Sequence, residues 1–217
     1  MDLTIRPEAP EDRRAVEELA REAFWNHHVP GCDEHYLLHH IRSSADLIPQ
    51  LNLVAVLDGR IVGHILYTRS WVVDKAGSRH GTLTFGPLSV HPDHQRRGIG
   101  KALIAHTRDL ARGMGHRAII IYGHPGNYCG SGFKSCAHYV ITDAQGQYPS
   151  SLLVLELYPG ALDGIAGVFA ESIDFQVDPG GLEAFDRGFP PKEKAVTPGQ
   201  EEFFINSHSF VQPDVQR

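Results

Sequence analysis

The segment Gln95–Gly100, which reads Gln-Arg-Arg-Gly-Ile-Gly, constrains the fold more than any other part of the chain. Gly98 and Gly100 are separated by one residue, and glycines permit positive φ angles and close approach of the backbone to a ligand. Where a helix begins, several backbone N–H groups point toward one position, which favours an anion. A hydrogen bond to a charged group contributes about 1.5–3 kcal/mol, more than the 0.3–1 kcal/mol or so of a helix dipole at an exposed end. The segment therefore predicts a phosphate-binding turn.

The residues around this segment predict a strand, a turn and a helix, in that order. Residues 82–90 have strand composition, and Pro92-Asp93 turns the chain before the glycines. After the glycines, apolar residues recur at helical spacing as far as Gly115, which is placed to end the helix. Gly86-Pro87 interrupts the strand, because proline donates no hydrogen bond to a ladder. We therefore expect strand pairing to break there and backbone to become free for a ligand.

Alternating strands and helices are expected elsewhere in the first 158 residues. The predicted strands are residues 3–6, 51–57, 61–68 and 118–121, and a first helix has its apolar face at residues 16–24. A second helix follows Asp33, which is a candidate N-cap. Asp58-Gly59 is a hairpin turn signal, and the continuous apolar run at 118–121 is typical of a buried parallel strand.

Three blocks, Gly86–Pro92, Gln95–Gly100 and Tyr128–Phe133, occur in an order that resembles the GNAT superfamily of acetyl-CoA-dependent N-acetyltransferases, in its YhbS-like branch. The second block matches the family's Q/R-x-x-G-x-G/A acyl-CoA signature, and the third matches its Y-x-x-x-G-F element. The resemblance covers residues 1–158, since Leu153–Leu157 is similar to the family's last core strand. It implies an α/β fold with a mixed, mainly antiparallel seven-stranded sheet flanked by helices. Residues 159–217 would form a C-terminal extension packed on that domain.

The resemblance also implies an activity, which is direct transfer of the acetyl group of acetyl-CoA to a primary amine of a small molecule or peptide. Backbone groups of Leu88, Ser89 and Val90 would pair with the pantetheine arm of the co-substrate. Tyr128 would protonate the leaving thiolate. The residues implied to hold the pyrophosphate are Gln95, Arg96, Arg97, Gly98, Ile99, Gly100 and Lys101.

The general base is the main point at which the chain departs from the family. Deprotonating an alkyl ammonium with a pKa near 10.4 costs about 4.6 kcal/mol at pH 7, so a base or a water relay is useful. Related enzymes often carry the base on the strand before the glycines, but Thr84, Phe85 and Gly86 stand there and none of them accepts a proton. The candidates that remain open are Glu34, His35, Glu156 and an ordered water chain.

A second departure lies on the other side of the site. Many members of the family carry an asparagine seven residues before the tyrosine, and Ile121 stands at that position. A contact from that side is therefore not expected in this chain.

Histidines are concentrated at residues 27–40, and His35 and His39 are four residues apart on a predicted helix. Two imidazoles on one helix face can bind a metal. The spacing matches none of the recurring zinc patterns, so we expect a packed helix that borders the acceptor cleft and no metal site. Cys129 and Cys136 lack C-x-x-C spacing and a nearby base and are expected to be ordinary small residues, with a catalytic Cys129 as a remote alternative.

Two other classes of function are alternatives to an acetyltransferase. A dinucleotide-dependent oxidoreductase needs a third glycine at position 103, where Leu103 stands. A non-catalytic acyl-CoA-binding sensor or regulatory module would use the same cofactor-binding residues without turnover, and the extension could support its partner. Binding of acetyl-CoA without release of CoA would favour the sensor.

Composition limits the remaining classes. The 217 residues, 41% of them hydrophobic, can bury one full core and leave room for an appendage. The net charge of -6 disfavours a nucleic-acid surface. No apolar run reaches ~18 residues and no basic region opens the chain, so neither a membrane span nor a signal peptide is expected. Three cysteines fit a reducing compartment, so a cytoplasmic location is expected, and a homodimer is left open.

Overall fold

The computed structural model describes residues 3–172, 175 and 177–212. The chain forms two compact units, and the segments of each unit are interleaved along the sequence. The first unit takes residues 1–67, 86–106 and 173–201, and the second takes residues 68–85, 107–172 and 202–217. The boundary expected after residue 158 remains a prediction.

The strands are β1 (Leu3–Pro7), β2 (Leu53–Leu57), β3 (Arg60–Ile65), β4 (Tyr67–Val73), β5 (Arg79–Phe85), β6 (Ser89–Val90), β7 (Ala118–Tyr122), β8 (Lys134–Ser135), β9 (Ile141–Thr142), β10 (Leu152–Glu156) and β11 (Gly167–Ala170). The helices are α1 (Arg13–Phe24), α2 (Glu34–Ile41), α3 (Ile99–Gly113), α4 (Pro125–Tyr128), α5 (Pro179–Asp186) and α6 (Pro198–Ser207). No helix in the described ranges is both long and apolar enough to cross a membrane.

The first unit contains an antiparallel sheet in the order β1-β2-β3-β6. The predicted hairpin between β2 and β3 is confirmed, and its turn residues Asp58 and Gly59 have φ angles of 49° and 78°. Helices α1 and α2 bury apolar residues at helical spacing because one face of each helix is apolar. The buried cluster of this unit consists of Val16, Ala20, Leu38, Ile41, Val54 and Leu66.

Asp33 lies at the N-cap position of α2, as expected, but its side chain makes no capping hydrogen bond. Its carbonyl instead accepts from the backbone N–H groups of Tyr36 and Leu37. The Glu34 carboxylate accepts from the backbone N–H of Asp33, at 3.2 Å. Asp33 is therefore confirmed as the N-cap residue of α2, and it caps the helix through its backbone carbonyl.

The second unit contains the mixed seven-stranded sheet, in the order β8-β10-β7-β5-β4-β11-β9. β5 pairs with β7 in parallel, and β11 with β9, whereas β10 runs antiparallel to both β7 and β8 and β11 runs antiparallel to β4. The expected mixed seven-stranded sheet and the expected helices are both present. The buried parallel strand predicted at residues 118–121 is also confirmed, as β7.

The break predicted at Gly86-Pro87 separates the two sheets. β5 ends at Phe85 in the seven-stranded sheet, the Gly86–Pro87 peptide is cis, and β6 belongs to the four-stranded sheet. In the expected extension, β11 adds a strand to the second unit and α5 contributes to the first. Phe189 is buried there, whereas Phe204 is exposed, so only part of its apolar surface is packed.

Candidate functional site

The strand before the glycine turn, β6, lies at an edge of the four-stranded sheet. It pairs with β3 on one side only, with Val90 opposite Gly63 and Ser89 opposite His64. The next residue, His91, donates its backbone N–H to the carbonyl of Val62 at 2.9 Å. In an antiparallel pair, alternate residues direct their backbone groups toward and away from the partner strand. The backbones of Ser89 and His91 therefore face β3.

The backbone groups of Leu88 and Val90 consequently point toward the open edge. The carbonyl of Val90 accepts a hydrogen bond from the Gln95 side chain at 3.1 Å, which fixes the start of the turn to the strand. This arrangement differs from the expectation for Ser89, whose backbone is directed to β3. The residues whose backbone groups can pair with an extended ligand are therefore Leu88 and Val90, and not Ser89.

The glycine turn has a positive φ angle at Gly98, as the sequence allows, but the second positive φ angle is at Arg96 and not at Gly100. Arg96 and Gly98 have positive φ angles, of 58° and 86°. α3 begins at Ile99, and Ala102 donates its backbone N–H to the Gly98 carbonyl at 2.9 Å. The first backbone N–H groups of a helix have no acceptor within it. Residues 99–101 thus present amides at a helix start, which is a suitable site for an anion.

The roles of the two glycines differ. A Cβ at Gly98 would have no atom of the described residues within 4 Å, so the positive φ angle and open space are its distinguishing features. A Cβ at Gly100 would lie 3.7 Å from Val90 Cγ2 and 3.8 Å from Leu88 Cδ2, at ordinary contact distances. An added side chain at Gly98 would therefore enter open space but would have to adopt a left-handed backbone conformation.

Packing below the turn holds α3 close to the sheet. Ile99 is buried, and a Cβ at Gly63 of β3 would be only 2.9 Å from its Cγ2 atom. The helix start can approach β3 because Gly63 has no side chain. Arg96, Arg97 and Lys101 remain exposed and add positive charge to the same segment. Three basic side chains thus lie at one exposed helix start, and the assignment of a pyrophosphate to residues 95–101 remains a prediction.

Tyr128, the predicted acid, belongs to the second unit, at the end of the short helix α4. Its ring is half-buried, and its centroid lies 5.8 Å from those of Phe85 and Phe133. His124 fixes the start of α4 by accepting from the backbone N–H of Gly126 at 3.1 Å. Burial raises the pKa of Tyr128 to about 12. The hydroxyl is therefore protonated at neutral pH and available as a donor.

Gly123 is a further determinant of this geometry that the motifs do not indicate. A Cβ at this position would lie 2.5 Å from Tyr128 Cε2, so only glycine leaves room for the ring. The sequence signal is weak, because the residue merely separates the end of β7 from α4. Ile121, where many relatives carry asparagine, is buried in the core.

The acidic candidates for the general base have structural hydrogen bonds. Glu34 bonds His28 Nδ1 at 3.0 Å as well as the amide of Asp33. Glu156 accepts from the backbone N–H of Leu162 at 3.0 Å. Both carboxylates thus have local roles that explain their presence.

His35 is also unsuited to the role of base. It is fully buried, with Nδ1 3.5 Å from Cys32 Sγ and Nε2 3.1 Å from Asp186 Oδ1. Burial lowers its pKa despite the neighbouring Asp186 carboxylate. Within the described ranges, no three His, Cys, Asp or Glu side chains are grouped to hold a metal ion.

A buried ionic cluster supports the first unit's sheet on the side of His64. Glu8 is paired with Arg42 and lies 3.7 Å from His64 Nε2, while Asn52 Oδ1 bonds the same nitrogen at 2.8 Å. Burial by itself would raise the pKa of Glu8, but the interactions with His64 and Arg42 lower it to about 2. Glu17 completes the cluster by accepting from Arg42 at 2.8 Å. The cluster contacts His64 of β3, the strand that pairs with β6.

Comparison with known proteins identifies relatives of this architecture. The model of the Acetyltransferase (GNAT) family matches residues 14–128. The uncharacterized N-acetyltransferase YjhQ of Escherichia coli K12 is 36% identical over 89 residues, which are 41% of this chain. That alignment spans 49% of YjhQ, so this chain matches about half the length of its curated relative.

Two solved structures resemble most of the chain. YhbS from Escherichia coli, a GNAT family N-acetyltransferase in complex with CoA, has a TM-score of 0.70 and 25% identity, covering 80% of this chain and 91% of its own. A GNAT family acetyltransferase from Brucella melitensis in complex with acetyl-CoA has a TM-score of 0.65 and 27% identity, covering 81% and 99%.

Proposed function

Because the chain belongs to the GNAT family of acetyltransferases, we propose that it transfers the acetyl group of acetyl-CoA to a primary amine of a small molecule or peptide. The observation that carries the proposal is the open edge of β6 followed directly by a glycine turn with outward amides. A pantetheine arm followed by a pyrophosphate requires these two features in the same order. The similar structures that hold CoA and acetyl-CoA support this assignment.

In this proposal, Leu88 and Val90 pair with the amide groups of pantetheine as an adjacent strand would. The backbone N–H groups of Ile99, Gly100 and Lys101 hold the pyrophosphate at the start of α3. The side chains of Arg96, Arg97 and Lys101 supply charge, and Gln95 keeps the turn attached to β6. Both substrates are held together, so the amine attacks the thioester directly and no covalent enzyme intermediate is required.

Tyr128 stabilises the leaving sulfur in this mechanism. A thiol has a pKa near 8.5, so complete proton transfer from a hydroxyl with a pKa of about 12 to a free thiolate is uphill by roughly 5 kcal/mol. The hydroxyl therefore acts mainly by donating a hydrogen bond as negative charge develops on sulfur. The role predicted from the sequence is retained, but as hydrogen-bond stabilisation during C–S cleavage.

A thiol-release assay tests the activity directly. Acetyl-CoA is offered with polyamines, amino acids, aminoglycosides, aryl amines and peptides, and release of CoA above the rate without an amine is expected for at least one class. Tight binding of acetyl-CoA with no release for any amine would instead favour the acyl-CoA-binding sensor.

Calorimetry tests the cofactor site independently of the acceptor. A variant with Arg96, Arg97 and Lys101 all changed to Gln should bind acetyl-CoA at least about tenfold more weakly, because charged hydrogen bonds contribute about 1.5–3 kcal/mol each. Lys75→Gln, which removes an exposed charge in the β4–β5 turn, is the matched control and should leave the affinity unchanged. Equal affinity in all three proteins would contradict the proposed site.

A further inference from the structure

A thiol, an imidazole and a carboxylate form a hydrogen-bonded chain within the first unit. Cys32 Sγ lies 3.5 Å from His35 Nδ1, and His35 Nε2 lies 3.1 Å from Asp186 Oδ1. Cys32 precedes α2 by two residues, His35 is in the first turn of that helix, and Asp186 ends α5. All three residues belong to the first unit. Side chains of these types in this order are the parts of a nucleophile that is activated by an oriented base.

The imidazole of His35 is held in one orientation by its surroundings. The rings of Phe185 and Phe189 pack against it, with centroids at 5.6 Å and 5.1 Å. Arg21 holds the Asp186 carboxylate by donating from Nε at 2.7 Å and from Nη2 at 3.3 Å. Because an ionised carboxylate only accepts hydrogen bonds, His35 Nε2 carries the proton toward Asp186, and Nδ1 remains an acceptor. The contacts that keep His35 from an acceptor amine therefore direct its basic nitrogen toward the thiol.

The protonation states agree with this chain of hydrogen bonds. Burial raises the pKa of the Cys32 thiol, and the Glu34 carboxylate adds to that effect. Burial also lowers the pKa of His35, against the effect of Asp186. Burial alone would raise the pKa of Asp186, but the hydrogen bonds from Arg21 lower it. At neutral pH the chain thus consists of a thiol, a neutral imidazole and a carboxylate, and the sulfur becomes nucleophilic only while its proton moves to the imidazole.

A cavity of about 270 Å³ in the same unit is bordered by both Cys32 and Asp186. The other residues that line it are Trp25, Pro179, Leu182, Glu183 and Lys194. Cavities that hold drug-sized ligands measure about 300–1,000 Å³, so this one suits a smaller group. Three of its lining side chains are apolar, which favours a short acyl chain as the occupant. The thiol therefore borders a space that a small substrate can enter.

Lys194 places a positive charge beside this thiol. Asn26 Oδ1 accepts from the backbone N–H groups of Gly31 at 2.8 Å and of Ala195 at 3.1 Å, which ties the two segments together. A Cβ at Gly31 would lie 3.1 Å from Lys194 Cε, so the lysine side chain crosses the residue directly before Cys32. An ammonium group at this position stabilises the negative charge that develops on a carbonyl oxygen under attack.

We propose that Cys32 is a nucleophile that accepts acyl groups, with His35 as its general base and Asp186 as the residue that orients His35. Lys194 stabilises the oxyanion. The substrate class is a short-chain acyl thioester, and the reaction is its hydrolysis. This second activity is independent of acetyl transfer to an amine, because none of these residues is assigned to the co-substrate or to the leaving thiolate of that reaction.

The reaction consists of two acyl transfers that both use His35. In the first, the Cys32 thiol gives its proton to His35 Nδ1 while its sulfur bonds to the carbonyl carbon of the substrate. The C–S bond of the substrate then breaks, and the leaving thiolate takes the proton from His35. In the second, a water molecule gives a proton to His35 and attacks the acyl group on Cys32, whose sulfur leaves and takes that proton back. The products are a carboxylic acid and a thiol, and the protein is unchanged.

The test uses p-nitrophenyl acetate, an activated acetyl ester that acylates a thiol by the same attack and releases p-nitrophenol. Peptide mass spectrometry of the quenched wild-type protein locates the acetyl group. The other two cysteines are matched controls, since Cys136 is buried with its thiol at 3.8 Å from the Pro149 carbonyl and Cys129 is exposed. The acetyl group is expected on Cys32 and not on Cys136. Release of p-nitrophenol should fall to the background rate in Cys32→Ala and stay within about twofold of wild type in Cys129→Ser.

A variant of His35 tests the role of the base. His35→Gln should acylate Cys32 about 10²–10⁴-fold more slowly than wild type, as expected for loss of a general base. The proposal is overturned if wild-type Cys32 gains no acetyl group, if it gains one no faster than Cys136, or if folded His35→Gln reacts as fast as wild type. The first two results come from the wild-type protein and do not depend on how any variant folds. Release of CoA with amines should be the same in Cys32→Ala and wild type, so either activity can fail without the other.

Discussion

The two glycines of the turn permit a test in which two alanine variants should change the stability of the protein in opposite directions. Gly98 has a φ of 86°, and an L-residue in the left-handed region costs about 1–2 kcal/mol. Gly98→Ala should therefore lower the melting temperature by roughly 2–8 °C, at about 2–4 °C per kcal/mol for a chain of this size. Gly100→Ala should raise it by roughly 1–4 °C, because removing a helical glycine contributes about 0.5–1 kcal/mol.

Acetyl-CoA affinity should separate the same variants. The methyl group of Gly98→Ala would enter open space at the turn. If the pyrophosphate occupies that space, as we propose, the methyl group should displace one charged hydrogen bond. At about 1.5–3 kcal/mol for that bond, binding should weaken about 10- to 150-fold. The methyl group of Gly100→Ala would contact Val90 and Leu88 instead. The affinity of Gly100→Ala for acetyl-CoA should stay within about threefold of wild type. The family signature agrees with this expectation, because it allows either glycine or alanine at this position.

Isothermal titration calorimetry with acetyl-CoA measures the affinities, and scanning calorimetry without ligand measures the melting temperatures. Gly100→Ala serves as the matched control, since it adds the same methyl group two residues away. Gly98→Ala could bind acetyl-CoA as tightly as wild type although its melting temperature falls as expected. The positive φ angle of Gly98 would then be needed for the shape of the turn and not for binding the ligand. The assignment of the pyrophosphate to this segment would then be refuted.

Two further changes test other parts of the molecule. Tyr128→Phe removes one hydroxyl and should lower kcat about 10²–10⁴-fold with little change in acetyl-CoA affinity. Steady-state kinetics measures kcat, and calorimetry measures the affinity. If kcat is unchanged although C–S cleavage is shown to limit the rate, Tyr128 is a packing residue. The pKa of Glu8 is about 2 in the folded protein and about 4.3 in the unfolded chain. Above pH 5, ionised Glu8 therefore contributes roughly 3 kcal/mol to the free energy of unfolding, and that contribution is lost as the pH falls toward 2. In urea titrations from pH 2 to 7, wild type should thus lose its stability advantage over Glu8→Gln at low pH, and a constant difference would contradict this.

Local features of the sequence predict the turn well because local chemistry dominates there. Gly98 adopts a positive φ angle that few other residues tolerate, and Asp58-Gly59 forms the expected hairpin. The break at Gly86-Pro87 also follows from local rules, since proline has no N–H to donate. These positions depend little on distant parts of the chain.

The surroundings of individual side chains were less predictable, because they depend on pairing between distant segments. Phe169 acquires its neighbours from the register of β11 against β4, about 100 residues earlier in the chain. Likewise, the backbone of Ser89 faces β3 because of the register between β3 and β6. A shift of one residue would reverse both faces, and no local periodicity fixes such a shift. The direction in which the backbone of Ser89 faces therefore becomes known only from the tertiary structure.

The shortness of β6 has a consequence for which molecules can occupy its edge. Exposed strand edges are templates on which other polypeptides add strands and aggregate. Here the paired strand is only Ser89–Val90, and the neighbouring Pro87 and Pro92 lack N–H groups that would extend the ladder. A foreign β-strand would find too few partners to hold it. A pantetheine arm, with two amides, needs no more than this edge offers, so the shortness of β6 suits the proposed co-substrate and disfavours strand addition by another polypeptide at this edge.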